Sequence, residues 1–534
     1  MGGDAAGNGV NTAYGLVAII VVCVLTLAVG AFGLRLSRTT SDFYVAGRTV
    51  TPYRNASAIG GEYLSAASFL GIAGLIYTGG LDMLWFPVGY TVGYVVLLVL
   101  VAAPLRRSGA YTLADFAEAR LESRAIRRMC SFLVVGIGWL YLLPQLQGAG
   151  LALRAVTGAP SWLGGLVVAA VVVANVAAGG MRSITLVQAV QYWLKLTAIA
   201  VPAFVLLAFW AGDGAPGPAV LRTDPGWAQP LHGLAGQGHP VYATYSLLLA
   251  LALGTMGLPH VLVRFYTNPD GRAARRTTLT VIALLGVFYL FPPVYGFLGR
   301  TYLPELPAGA APDTVMLSLP GLMAGGTLGD ILSAVLAGGA FAAFLSTASG
   351  LTISVAGVLD QDVLRGWLAR LTAQDATTVQ GFRLASVPAV LVPYAVSLVV
   401  EPVGLATMVS LAFAVAASTF CPLLVLGAWW RGLSTVGAGA GLVVGGLLAA
   451  IAVAATVLAG PIDGWPGALL GQPAAWTVPI AFATAVVVSL ATPGRIPRNT
   501  SRTLVRLHSP EDLALEGRAD QPAPRNRSTI SGRS

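Results

Sequence analysis

Long apolar stretches recur along this chain from Leu16 to Leu490, separated by short breaks that carry Arg, Gly or Pro. A helix needs about 20 such residues to cross a hydrocarbon core about 30 Å thick. Read in this way, the chain is predicted to span near residues 11–33, 55–78, 82–104, 126–154, 161–179, 186–211, 241–265, 276–299, 327–358, 382–401, 405–428, 434–459 and 476–493. The prediction is an all-α polytopic membrane protein of about thirteen transmembrane helices, with the bilayer as its main partner.

Two of these spans are interrupted. The second reads Asn55-Ala-Ser-Ala-Ile-Gly-Gly-Glu-Tyr-Leu-Ser-Ala-Ala-Ser68, where Gly60 and Gly61 are poor helix formers and Glu62 is costly in hydrocarbon. A close helix crossing through small residues is one reading; an unwound segment lining an aqueous cavity is the other. The seventh span, with Gly254-Thr-Met-Gly-Leu-Pro-His260, decides for unwinding. It lies five spans further on, in the corresponding position of a second half of opposite orientation. That pairing points to an inverted-repeat transporter whose broken helices hold an ion and an anionic group near the midplane.

Composition agrees: 56% of residues are hydrophobic, 10% are charged and the mean hydropathy is +0.76, which excludes an ordinary soluble domain. The net charge of +9 does not imply nucleic acid, because the basic residues sit in the breaks rather than along a groove. With the N-terminus outside, the 31 Lys and Arg fall in cytoplasmic breaks, Arg264 among them, or in the tail, except Arg154, Arg222 and Arg300 outside and Lys195 within the sixth span. The positive-inside rule therefore gives N-out, C-in, and no Arg is expected at midplane depth. Lys195 is read as snorkelling to the cytoplasmic side. Residues 1–493 form the transmembrane domain; 494–534, rich in Arg, Pro and Ser, are expected to be a disordered basic cytoplasmic tail. Tyr111–Arg128 is amphipathic and reads equally as an interfacial or an ordinary connecting helix. Cys23, Cys130 and Cys421 fit neither a metal site nor a disulfide framework.

A hydroxyl cluster, Ser346, Thr347, Ser349 and Thr352, lies in the ninth span. Such groups commonly bond back to the preceding turn, but beside the two breaks they would be oxygen donors suited to an alkali cation. His260 is read as a polar residue bonded to a neighbouring helix, with a proton carrier as the alternative.

The order of motifs resembles the sodium:solute symporter family, in its acetate permease or monocarboxylate branch. The resemblance rests on Asp42-Phe-Tyr-Val-Ala-Gly-Arg48, Gly179-Gly-Met-Arg-Ser-Ile-Thr-Leu-Val-Gln188, Glu62-Tyr-Leu-Ser-Ala-Ala-Ser-Phe-Leu-Gly71 and Gly257-Leu-Pro-His-Val-Leu-Val-Arg-Phe-Tyr266. It implies a LeuT-like fold of ten core helices in two inverted repeats of five with extra helices around them, in a bacterial inner membrane. It also implies a sodium site built from the carbonyls of Gly61, Leu64 and Ala343 and the hydroxyls of Ser346 and Thr347. The implied function is sodium-coupled uptake of acetate, propionate or pyruvate by alternating access. Proton coupling, another solute such as proline, and a non-transporting sensor are the alternatives. Tyr63, Ser65, Ser68, Thr255, His260 and Gln145, with Gln147, are the candidate substrate contacts, and Glu62, where the branch usually has Asp, is a candidate coupling residue. No catalytic residue, cofactor or obligate protein partner is expected, since no metal-ligand cluster or nucleophile–base pair is legible. One-to-one symport of sodium with a monocarboxylate would be electroneutral and support roughly tenfold accumulation per tenfold sodium gradient.

Overall fold

The computed structural model describes residues 12–34, 45–234, 238–307, 309–364, 378–401, 403–460 and 462–511. Among them the fold is all helix, without a strand. The Asp42–Arg48 motif lies partly outside the described residues, and so does the tail from residue 512.

The first span is α1 (Thr12–Leu34), whose Val17, Ile20, Val21 and Val24 face outward as a bilayer-facing helix allows. The second is broken. It comprises α2 (Pro52–Tyr63), a π-helical turn at Ala67–Gly71 and α3 (Ile72–Gly79), bent by 69°. Then come α4 (Trp85–Leu100), the short α5 (Leu113–Leu121), α6 (Arg124–Thr157) and α7 (Ser161–Gly212). The seventh predicted span is α8 (Pro240–Thr255) followed by α9 (Pro259–Val263). Further helices are α10 (Gly271–Phe288), α11 (Pro292–Tyr302), α12 (Gly326–Val358), α13 (Thr378–Ser397), α14 (Leu405–Trp429), α15 (Thr435–Ala459), α16 (Ala474–Ala491) and α17 (Thr500–His508).

Among the described residues, 10 helices are long and apolar enough to cross a membrane, or 11 with the bent pair as one span. The difference from thirteen has two visible causes. The 52-residue α7 takes in two predicted spans, and at roughly 78 Å it is more than twice the depth of a hydrocarbon core. Gly180, at φ 58°, breaks its helical geometry between them. In addition α13, which carries Arg383, Pro388 and Pro393, is not among the ten.

The centre of the bundle is α12, buried along nearly its whole length against α1, α6 and α7. Small residues allow the close approach: a side chain at Gly350 of α12 would run into the Glu62 carboxylate, and one at Gly339 into Phe69 and Ala198.

At one end of the bundle α5 is a docked connecting helix. Thr112 and Asp115 form a capping box, and Leu113, Phe116, Ala117 and Leu121 are buried. Arg127 pairs at 2.7 Å with Asp115, Glu118 and Asp362. From α5 the buried Arg120 donates to Gly427 O (2.8 Å), Trp430 O (3.1 Å) and Thr500 Oγ1 (3.1 Å). The start of the expected disordered tail is thus helical. In α17, Leu504 and Leu507 lie one turn apart and are buried against this end, and Glu511 pairs with Arg107 at 3.4 Å. Two leucines in an otherwise polar stretch are enough to dock a helix whose backbone groups are satisfied internally.

Candidate functional site

The first break follows from its sequence. Two adjacent glycines weaken α2, and Leu64 leaves helical geometry at φ −73°, ψ 84°. The Ala66 N–H, freed of a helical partner, donates to Gln145 Oε1 of α6 at 3.0 Å. The carbonyls around the break turn toward α12 and α7. Gly61 O accepts from Ser346 Oγ at 2.6 Å, and Glu62 O accepts from Thr347 Oγ1 at 2.6 Å. Ser346 Oγ also lies 3.1 Å from Ala343 O. The hydroxyl pair therefore stands against the break, as its cation-binding reading requires, whereas Thr352 bonds back to Ala348 O.

At the centre of these oxygens sits a group assigned elsewhere from sequence. Lys195 of α7 is fully buried, and its Nζ donates to Gly61 O, to Leu64 O at 2.7 Å and to Ser346 Oγ at 2.8 Å. The snorkelling expectation is corrected. The aliphatic stem is long enough to reach either the interface or the break, and three oxygens at the break replace the water a snorkelling ammonium would find. An ammonium carries three N–H donors and no acceptor. It meets three acceptors here. Arranged so, Gly61 O, Leu64 O and Ser346 Oγ do not fit a sodium ion, because the same oxygens already coordinate a fixed cation.

Beside it lies a buried ion pair. Arg264, which follows α9, donates Nε to Glu62 Oε2 at 2.5 Å and Nη1 to Thr185 Oγ1 at 2.8 Å, and it also bonds Gln188 Oε1. The two side chains are 1% and 2% exposed. Arg264, read from sequence as a residue of the cytoplasmic breaks, is buried against Glu62 within the bundle. The carboxylate answering Arg264 comes from a helix far away in sequence. With Lys195, the cluster holds two cations and one anion. Gln188 links the centres, since its Nε2 donates to Ser346 O at 2.8 Å.

The second break, Met256-Gly257-Leu258, is closed differently. Gly257 N bonds back to Gly254 O at 2.7 Å, and the glycine lies against the Ala416 backbone of α14, where a side chain would not fit. Across the gap, Tyr63 OH and Thr255 Oγ1 are 2.9 Å apart. Around them the rings of Tyr94, Tyr63, Phe413, Tyr141 and His260 follow one another in edge-to-face or tilted contacts with centroids 4.8–6.1 Å apart, and Tyr90 stacks on Tyr289. Ser68 Oγ and Tyr289 OH are 3.0 Å apart. Tyr90 OH, Tyr94 OH and both ring nitrogens of His260 are buried without a hydrogen-bond partner among the described residues. His260 is therefore not bonded to a neighbouring helix as expected; it packs its ring against Tyr141 instead.

Of the predicted substrate contacts, Tyr63, Ser65, Ser68, Thr255 and His260 lie buried at or beside the two breaks. Gln145 is taken up by the Ala66 N–H, and Gln147, two residues on and on another face of α6, donates to Val400 O at 2.8 Å. Tyr90, Tyr94, Tyr141, Tyr289 and Phe413 were not anticipated. The available signal is polar-tipped rings inside aliphatic spans, with Tyr90 and Tyr94 on one face of α4.

A helical bundle crossing the membrane many times, with two broken spans meeting around buried charge and a cluster of packed aromatic rings, is the architecture of a secondary transporter. The chain belongs to the sodium:solute symporter family, whose model matches residues 43–445. It is 33% identical to the uncharacterized symporter YwcA of Bacillus subtilis over 78% of this chain and 82% of that protein. It is 32% identical to a monocarboxylic acid transporter of Corynebacterium glutamicum, covering 83% and 84%. The fold is similar to that of a sodium-coupled sialic acid symporter (TM-score 0.66, 17% identity, 89% of this chain and 97% of that one). It is also similar to a nucleobase-cation-symport-1 family transporter (TM-score 0.54, 13% identity, 88% and 99%).

Proposed function

We propose that this protein moves a small monocarboxylate, of the size of acetate, propionate or pyruvate, across a bacterial inner membrane by alternating access, in the N-out, C-in orientation. The observation that carries the reading is the pairing of unbonded Tyr90, Tyr94 and His260 groups with a buried cluster of two cations and one anion. Buried polar groups without partners are costly, and a carboxylate would accept from them. An anion of one charge also balances the excess cation. Similarity to a monocarboxylic acid transporter supports this class of cargo.

The rings packed around these groups would suit a short apolar tail behind the carboxylate. Uptake of labelled acetate, propionate and pyruvate by proteoliposomes, beside proline and glucose, tests the reading. Transport of proline or glucose with none of the three acids would overturn it.

Cation coupling is a separate matter. Sodium, the ion expected from sequence, would have to share its donors with Lys195.

A further inference from the structure

We infer that the Lys195 ammonium is a tethered replacement for sodium, so that this transporter binds and moves its substrate without that ion. The inference rests on the transport reading above for its uptake measurements alone.

Five oxygens are expected to hold sodium, those of Gly61, Leu64, Ala343, Ser346 and Thr347. All five are already engaged. Lys195 Nζ takes Gly61 O, Leu64 O at 2.7 Å and Ser346 Oγ at 2.8 Å; the Ser346 hydroxyl lies 2.6 Å from Gly61 O and 3.1 Å from Ala343 O; Thr347 Oγ1 donates to Glu62 O at 2.6 Å. A sodium ion could enter only if the ammonium left, because two like charges within one ring of oxygens repel strongly at low dielectric. The ammonium has no better place within reach. Glu62, the carboxylate beside it, is paired with Arg264 at 2.5 Å.

The two cations differ in one physical respect. A sodium ion occupies such a site in proportion to its concentration and dissociates during the cycle, whereas a lysine carried on α7 supplies its charge at fixed effective concentration. The bond from α7 through Nζ to the break and to α12 is the cross-link that a bound ion would otherwise make. A substrate carboxylate then meets a net positive centre at any sodium concentration.

The test combines binding and transport. Purified protein is equilibrated with 22Na+ without substrate, and uptake of the best acid from the panel is measured with sodium or with choline. Wild type should bind no saturable 22Na+ up to about 100 mM, and replacing sodium by choline should change uptake less than about twofold. Lys195→Ala keeps every oxygen of the ring and removes the resident cation. It should bind 22Na+ saturably, lose at least about tenfold in uptake in choline, and regain most of it in sodium.

Saturable 22Na+ binding by wild type, or stimulation of its uptake fivefold or more by sodium, would overturn the inference. So would a Lys195→Ala protein that elutes as a monodisperse peak yet binds no sodium. If that variant does not fold, the wild-type measurements decide alone. If no acid is transported, the cargo reading fails while 22Na+ binding still judges Lys195.

Discussion

The two helix breaks face each other across the same bundle and treat their polar groups in opposite ways. At the first, side chains fill the opened backbone: Lys195 on Gly61 O and Leu64 O, Thr347 on Glu62 O and Gln145 on the Ala66 N–H. At the second, the backbone closes on itself through Gly257, and the side chains in front of it, His260 with Tyr90 and Tyr94, are left without partners among the described residues. A break whose opened backbone is taken up by side chains, even with Ser65 Oγ and Glu62 Oε1 left unpartnered beside it among the described residues, is a structural joint that holds charge in place. An unsaturated break is a receptor for something that comes and goes.

That contrast can be broken most severely at the charge cluster. Arg264→Ala leaves the buried Glu62 carboxyl without its partner, a loss of about 3–5 kcal/mol. Thermal unfolding in detergent should show a large drop, and the Glu62→Gln, Arg264→Met double variant should be less damaged than the single losses added together. Equal additive losses would mean that the two side chains are not one unit.

On the receptor side the expected loss is in binding rather than folding. Tyr94→Phe removes an unbonded hydroxyl, so the melting temperature should hold or rise, while the half-saturating concentration for the acid rises about 10- to 100-fold, as for a lost hydrogen bond to a charged group. A fall in stability with unchanged affinity would assign Tyr94 to the joint.

Gln145→Ala tests the joint with a smaller step. Orphaning the Ala66 N–H costs about 1–3 kcal/mol, read as lower stability and weaker protection of residues 64–68 from hydrogen exchange. Smallest of all is Gln147→Ala, whose hydrogen bond to Val400 O lies away from both breaks. It should cost about 1 kcal/mol and leave uptake within about twofold. A larger transport defect there would blur the distinction between the breaks and their surroundings.

Much of this was legible before any coordinates. Apolar run length located the helices, paired Gly and Pro located both breaks, and Ser346 and Thr347 fell against the first one. What was not legible depends on partners distant in sequence. Hydropathy registers that Lys195 is charged but not which way its flexible stem turns. Arg264 follows a broken span and reads as a loop residue until Glu62, 202 positions earlier, is placed beside it. The aromatic cluster was hidden for another reason: buried Tyr in a membrane helix looks the same whether its hydroxyl bonds a neighbour or none. In the tail, two leucines one turn apart were too little periodicity to mark α17.

The guanidinium of Arg120 reaches two separate stretches of chain, the end of α14 at Gly427 and Trp430 and the start of α17 at Thr500. Because one planar group fastens both to α5, the three elements are expected to move as one body in any opening of the bundle. Flexing is thereby displaced from this end to the hinges inside it, where the helices are already severed.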